Sequence, residues 1–281
     1  PNLQFGILND GSDETVKLQN FLNYLSHNQN LTGYIRGFVK YTRVYLFYDP
    51  ILNPGWNQSA KQGFVRLVGD GSLDISKCRN KQYDKGTILF STETSGAASF
   101  QVASAALGHN ASPYPARSFQ MEGITLAANK TGLIFEAAAC PEIQLNDVSI
   151  VQENIAGDGA DIRSAWFGSL DGVKIINSGT GTAIGSGLVC GSNAEGGLFS
   201  IDDSSLIDGF GKNVRWVGTG KFANLSIKRT ALQSADETSL SIESALYMLI
   251  LDDVYFEGNT KDWNSSATID VLSAGNIWIL G

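Results

Sequence analysis

From Met121 onward the chain repeats one phrase: an apolar residue, a polar turn pair, then apolar positions alternating with polar ones. The copies are Met121-Glu122-Gly123-Ile124, Leu145-Asn146-Asp147-Val148, Leu170-Asp171-Gly172-Val173, Ile201-Asp202-Asp203-Ser204, Leu225-Ser226-Ile227-Lys228 and Leu251-Asp252-Asp253-Val254, and Leu280-Gly281 would open another. Their spacing drifts from 24 residues (Met121 to Leu145) to 31 (Leu170 to Ile201), as it would if one turn per unit can lengthen freely. A period of two is that of a strand. A unit this short cannot bury its apolar side alone and must stack on its neighbours. Helical repeats would show long stretches of period 3.6, and leucine-rich repeats need L-x-x-L-x-L-x-x-N; neither is present. The pattern predicts an all-β solenoid, a single-stranded parallel β-helix with two or three short strands per coil.

A further strand precedes each turn: Gly132–Ala137, Asp161–Ala165, Gly187–Ser192, Asn213–Gly218, Ser239–Ala245 and Thr268–Ala274. Alternation turns Leu133/Phe135, Leu188/Cys190, Val214/Trp216, Leu240/Ile242 and Ile269/Val271 inward. Glu136, Arg215, Ser241/Glu243 and Asp270 then point outward, with Asp161 and Arg163 on a shorter coil. One outer face is thereby lined with charge. The turn residues Asn146, Asp171, Asp202, Asp203, Asp252 and Asp253 are read as turn formers ahead of catalysts, because Asn and Asp tolerate left-handed backbone and bond their own main chain.

The first part of the chain is less regular. Val16 or Leu18, Phe21, Leu22 and Leu25 make one apolar stripe, which predicts an amphipathic helix capped by Ser12 or Asp13 and ending near Asn28. Such a helix could cover the first apolar layer of the stack. Gly33–Tyr48 reads as two short strands, Asp49–Ser59 as an irregular loop, and Phe64–Val68 as a strand ending at Gly69-Asp70-Gly71. The expected division is 1–115, cap helix and irregular first coils, and 116–281, regular coils, in one continuous domain. The chain opens on Pro1 and stops within the apolar run Ile277–Leu280, as a piece cut from a longer polypeptide would.

With 43% hydrophobic and 17% charged residues, 31 Gly and 6 Pro, the composition is that of a packed protein with many turns. A formal net charge of -8 without a Lys/Arg cluster argues against nucleic-acid partners. There is no apolar run long enough to span a membrane, so no membrane insertion is expected. Cys78, Cys140 and Cys190 have no metal spacing and read as buried thiols. His27 and His109 are the only histidines, so no metal site is expected, and no phosphate loop, dinucleotide fingerprint or G-x-S-x-G elbow occurs. No cofactor is expected.

Phe5-Gly6, Asp10-Gly11, Asp13-Glu14-Thr15 and Leu18-Gln19, followed by Val68-Gly69-Asp70-Gly71, resemble the opening of the pectate-lyase-like right-handed β-helix family, as found in phage tailspike and tail-fibre depolymerases. There the phrase F-G-A-x-G-D-G-x-x-D-D-T-x-A-L-Q opens the domain and its helix caps the solenoid; here Asn9 stands in a shortened turn. With the repeats, the resemblance covers nearly the whole chain. It implies a right-handed coil, a virion-tail or extracellular location, a homotrimer, other phage tail or baseplate proteins as partners, and a bacterial surface polysaccharide (capsule, exopolysaccharide or O-antigen) as substrate. It carries over no catalytic residue, because the family's chemistry sits in no fixed motif.

The candidates therefore come from the outward face. Coils about 4.8 Å apart bring carboxylates on adjacent coils near the roughly 5–5.5 Å of a retaining glycosidase pair, and those two coils apart near the roughly 6.5–9.5 Å of an inverting one. Glu243 and Asp270 are the first pair, with Glu136 and Asp161 as further candidates. A lyase would instead need a base and a cation to neutralise a uronate, for which Arg163 and Arg215 are available. Trp166, Trp263, Tyr247 and Tyr114 could stack on sugar rings, although aromatics in β-coils more often pack. The alternative to cleavage is a non-catalytic receptor-binding or structural β-helix of a tail fibre.

Overall fold

The computed structural model describes residues 5–28, 30–46, 63–102, 117–137, 140, 142–163, 165–191, 197–218, 223–258, 268–271 and 274–280. The loop expected at Asp49–Ser59, together with Tyr114, Trp263 and Gly281, lies outside these residues. Among the described residues the strands form one 15-stranded and one 8-stranded sheet, with parallel pairing throughout both ladders. The larger sheet bends along one edge, where Arg117–Ala128 and Glu142–Gln152 each run across the bend. It therefore supplies two faces of a prism, here faces one and two. The 8-stranded sheet is face three, and the chain visits the three in order on each coil. This is a parallel β-helix.

The bend between faces one and two explains the repeated phrase. Each of these coils has left-handed backbone there: Gly123 (φ +63°), Asp147 (+48°), Gly172 (+62°), Asp203 (+55°) with Ser204 (+63°), Arg229 (+43°) and Asp253 (+52°). Gly, Asn and Asp take that conformation most readily. The sequence alignment slips at the fifth copy. Ile227, not Leu225, pairs with Ile201 and Leu251, so Ile227-Lys228-Arg229 makes the turn. An arginine there has no turn signature and costs about 1–2 kcal/mol in left-handed backbone. The last coil is shifted by one, with Ile279 rather than Leu280 opposite Leu251.

Inside, like positions stack: Met121, Leu145, Leu170, Ile201, Ile227 and Leu251 on face one, and Phe100, Phe135, Ala160, Leu188, Val214 and Leu240 on face three. All of these are buried. Each large side chain contributes about 1.5–3 kcal/mol. Phe100, Phe119 and Phe135 pack with ring centroids 6.2–6.4 Å apart, and Phe199 meets Trp216 edge-on at 5.4 Å. The three cysteines are free and buried; burial pushes the Cys78 thiol up to about 11.

Helix α1, Thr15–His27, closes the first layer as expected. Leu18, Phe21, Leu22 and Leu25 are buried and Val16 is exposed. The helix lies so close to the first coil that a Cβ on Gly33 would come within 2.5 Å of Leu25 and 2.7 Å of Phe21. Its N-cap is Glu14, not Ser12 or Asp13. The buried Glu14 carboxylate accepts the Leu8 N–H at 3.0 Å and pairs with Lys17 at 3.0 Å, while Asp13 accepts the Thr15 N–H. Gly33–Tyr48 yields three strands rather than two, Leu31–Tyr34, Phe38–Tyr41 and Val44–Tyr45, one on each face. Gly37 (φ +75°) makes the first corner. A second helix, α2, Ile75–Asn80, was not legible in the sequence. It lies on the outside of face two, where Leu73 and Cys78 pack on Ile88, Ala127, Val151, Ile176 and Leu206.

Candidate functional site

On face three the alternation expected from sequence holds except that Ile134, not Leu133, joins the core, and with one shift on the short coil. The short coil's strand is Asp158–Asp161, so it ends where the reading began it, and Arg163 lies in the turn beyond. Strand register then stacks Gln101, Glu136, Asp161, Val189, Arg215, Ser241 and Asp270 in one outward column. Neighbours in it are about 4.8 Å apart along the prism axis.

Glu136 and Asp161 are paired directly across adjacent coils. Gln101 Nε2 donates to Glu136 at 2.6 Å. Asp161 accepts the Arg163 backbone N–H at 3.1 Å and its Nε–H at 2.9 Å. Asp158, at the start of the same strand, was missed. It follows Gly157 and precedes Gly159, as a turn former would. Asp158 accepts the Ser186 N–H at 2.6 Å. Burial, and to a lesser degree the Asp161 charge, raise its carboxyl above the ordinary carboxylate value in spite of that bond. Its surroundings favour keeping a proton.

Arg215 connects the cluster. Its Nε and Nη2 donate to Glu243 at 2.8 and 2.7 Å, and its charge acts on both Asp158 and Asp161. Lys212 Nζ, at 2.6 Å, and Ser241 Oγ, at 3.1 Å, complete the shell around Glu243. The Arg215 bond, with help from Lys212, brings the Glu243 carboxyl from 4.5 to about 2. Glu243 is thus a fixed anion across the working pH range and cannot act as a proton donor there. Because its folded value is depressed, its stabilisation is complete above about pH 4.5 and is lost as pH falls towards about 2. Glu243→Gln is expected to flatten the acid limb of the stability curve over that window. Urea midpoints measured from pH 5 down to pH 2.5 check this.

Asp270 sits opposite Ser241, four coils along the column from Asp161. The pairing expected between Glu243 and Asp270 therefore lies away from the carboxylate group at Glu136, Asp158 and Asp161. Trp166 and Tyr247 are exposed near the edge between faces three and one, Trp166 on the coil of Asp161 and Tyr247 three coils further on, on the coil of Glu243. Among the described residues no group of His, Cys, Asp and Glu is arranged to hold a metal ion, and no helix is long and apolar enough to cross a membrane.

No family model matches the chain, and no curated protein does. A solved structure of ORF18 from Geobacillus virus E2 aligns with it at 13% identity and a TM-score of 0.26. That alignment covers 99% of this chain and 60% of the viral protein, so the chain spans less than two thirds of its length. Likeness at this level carries no argument about function, which rests on the chain's own geometry.

Proposed function

We propose that this chain belongs to a phage tailspike-like protein that binds and cleaves a bacterial surface polysaccharide at face three. The observation that carries the reading is the register-aligned column holding Glu136, Asp161 and Arg215, with Asp158 and Glu243 beside it, of which Asp158 is raised and Glu243 depressed. Environments that push titratable groups apart in this way supply an acid and a base at one pH. Asp158 gives its proton to the glycosidic oxygen. In hydrolysis Asp161, held by Arg163, draws a proton from the water that attacks the anomeric carbon as the bond to the protonated glycosidic oxygen breaks, and Arg215 with Lys212 faces any acidic group on the sugar. The N-terminal resemblance supports the phage origin.

A homotrimer is part of the proposal. The middle outward row of face one, Gln144, Ser169, Ser200, Ser226, Ile250 and Trp278, carries no charge, and Phe167 and Leu198 beside it are exposed. A second copy fits such a surface. Sedimentation equilibrium giving only monomer at micromolar concentration sinks this element.

The test of activity is release of reducing ends from capsule, exopolysaccharide or O-antigen of candidate hosts. A new ultraviolet band from an unsaturated uronate would assign lyase chemistry; new reducing ends without it, hydrolysis. A glycan that binds and is never cut would leave the receptor-binding alternative in its place.

A further inference from the structure

A groove on face two, separate from the carboxylate column, has the makings of a second site. One outward row of this face, Phe90, Ala127, Val151 and Ile176, is apolar, and the segment carrying α2 covers it there. The cover ends at Arg79. Beyond it the same face continues uncovered through Ala231, Gln233 and Tyr255. Between the edge of α2 and the corner formed by Arg229 and Asp253 lies an open groove of about 500 Å³, within the usual range for small-ligand sites. Ser204, Ser205 and Ala231 line it, and the exposed ring of Tyr255 stands at one end.

Both cations around this groove are paired with carboxylates. Arg79 bonds Asp208 at 2.7 and 2.9 Å and Gln233 at 3.1 Å. Arg229 bonds Asp202 at 2.8 Å, and Gln233 donates to Glu257 at 3.0 Å. A guanidinium has five donors, so these pairs hold the two arginines in place with N–H groups to spare. Asp253 adds acceptors. The result is a set of oriented donors and acceptors with little net positive field, beside an aromatic face. That combination does not select an anion. It suits vicinal hydroxyls, which both donate and accept, on a ring whose C–H face stacks against tyrosine.

We propose that this groove binds uncharged sugar residues of a polysaccharide, as a second saccharide site apart from face three. The proposal rests on the polysaccharide reading for the kind of polymer but not for the location. The test is binding of the whole chain to an immobilised array of bacterial surface oligosaccharides, neutral and uronate-bearing, at low and high salt. Wild type is expected to retain neutral glycans with little dependence on salt. Tyr255→Ala is expected to weaken them by about tenfold or more, and Gln233→Ala by a few-fold, with far-UV circular dichroism unchanged. If wild type binds and both variants bind equally well, the groove is not the site and the polysaccharide reading stands. Binding confined to uronate glycans with a steep salt dependence also overturns the groove. If wild type binds no glycan, the polysaccharide reading fails and the groove fails with it.

Discussion

Asp158→Asn is expected to slow glycan cleavage by about 10²–10⁴-fold, the usual contribution of a positioned general acid, while leaving glycan binding within a few-fold. The amide keeps the shape of the carboxyl, and its oxygen still accepts the Ser186 N–H that holds the side chain now at 2.6 Å. What it loses is the proton. Because the native carboxyl is raised by burial and by the Asp161 charge, the wild-type rate should fall on the alkaline side as Asp158 deprotonates. The Asn variant should lack that limb. Folding stability should hold or rise slightly, since a half-buried carboxyl is replaced by a neutral group. The comparison that gives this result meaning is Asp270→Asn. Asp270 is exposed and lies four coils from Asp161, and its loss should leave the rate within about twofold, within the few tenths of a kcal/mol typical of surface changes. Initial rates of reducing-end release across pH check both variants. Equal rates for Asp158→Asn and wild type would remove Asp158 from the acid role.

The difference between Asp158 and the residues read from sequence shows what the sequence could carry. The corner between faces one and two was legible because its requirement is local: a left-handed backbone position that Gly123, Asp147, Gly172, Asp203 and Asp253 satisfy by their own chemistry. Arg229 has the same backbone without the same chemistry, and there the alignment slipped. The cap helix was legible because Leu18, Phe21, Leu22 and Leu25 set a period within one element. The outward column was legible by alternation, which placed Glu136, Arg215 and Asp270 correctly. The state of each carboxyl was not. Glu243 is depressed by Arg215 and Lys212, and Asp158 is raised by burial and by the Asp161 charge against the Ser186 hydrogen bond. Those environments come from strands stacked a coil apart or more, and the repeat length between coils is the quantity that drifts. Helix α2 was illegible for a related reason. Its few residues are held by a small apolar cluster on the outside of face two, built from coils that come much later in the chain.

Lys130→Met is expected to destabilise the fold by about 3–5 kcal/mol, the cost of breaking a buried ion pair from one side. Lys130 has 0% exposure, and nothing in its sequence neighbourhood signals burial. Its Nζ donates to Glu93 at 2.6 Å, to the Ala97 carbonyl at 2.6 Å and to Ser99 Oγ at 3.1 Å. One ammonium thus satisfies three acceptors near the bend from face two to face three. Glu93 also bonds Arg43, so the methionine variant would leave that carboxylate half partnered rather than bare. This places the loss towards the lower end of the range. The variant would leave the carbonyl of Ala97, an exposed residue, to water, and would take this donor from the hydroxyl of the fully buried Ser99. Methionine fills nearly the same volume, so a cavity is not the cause. Arg43→Met in the same background separates the terms. If Glu93 is the main creditor, the double variant should lose clearly more than the sum of the single changes, since its carboxylate would then face neither cation. Urea midpoints followed by circular dichroism, with hydrogen exchange at Thr131 and Leu133 to locate the opening, check this. A loss below about 1 kcal/mol for Lys130→Met would mean that its desolvation cancels its bonds, as it does for many buried pairs.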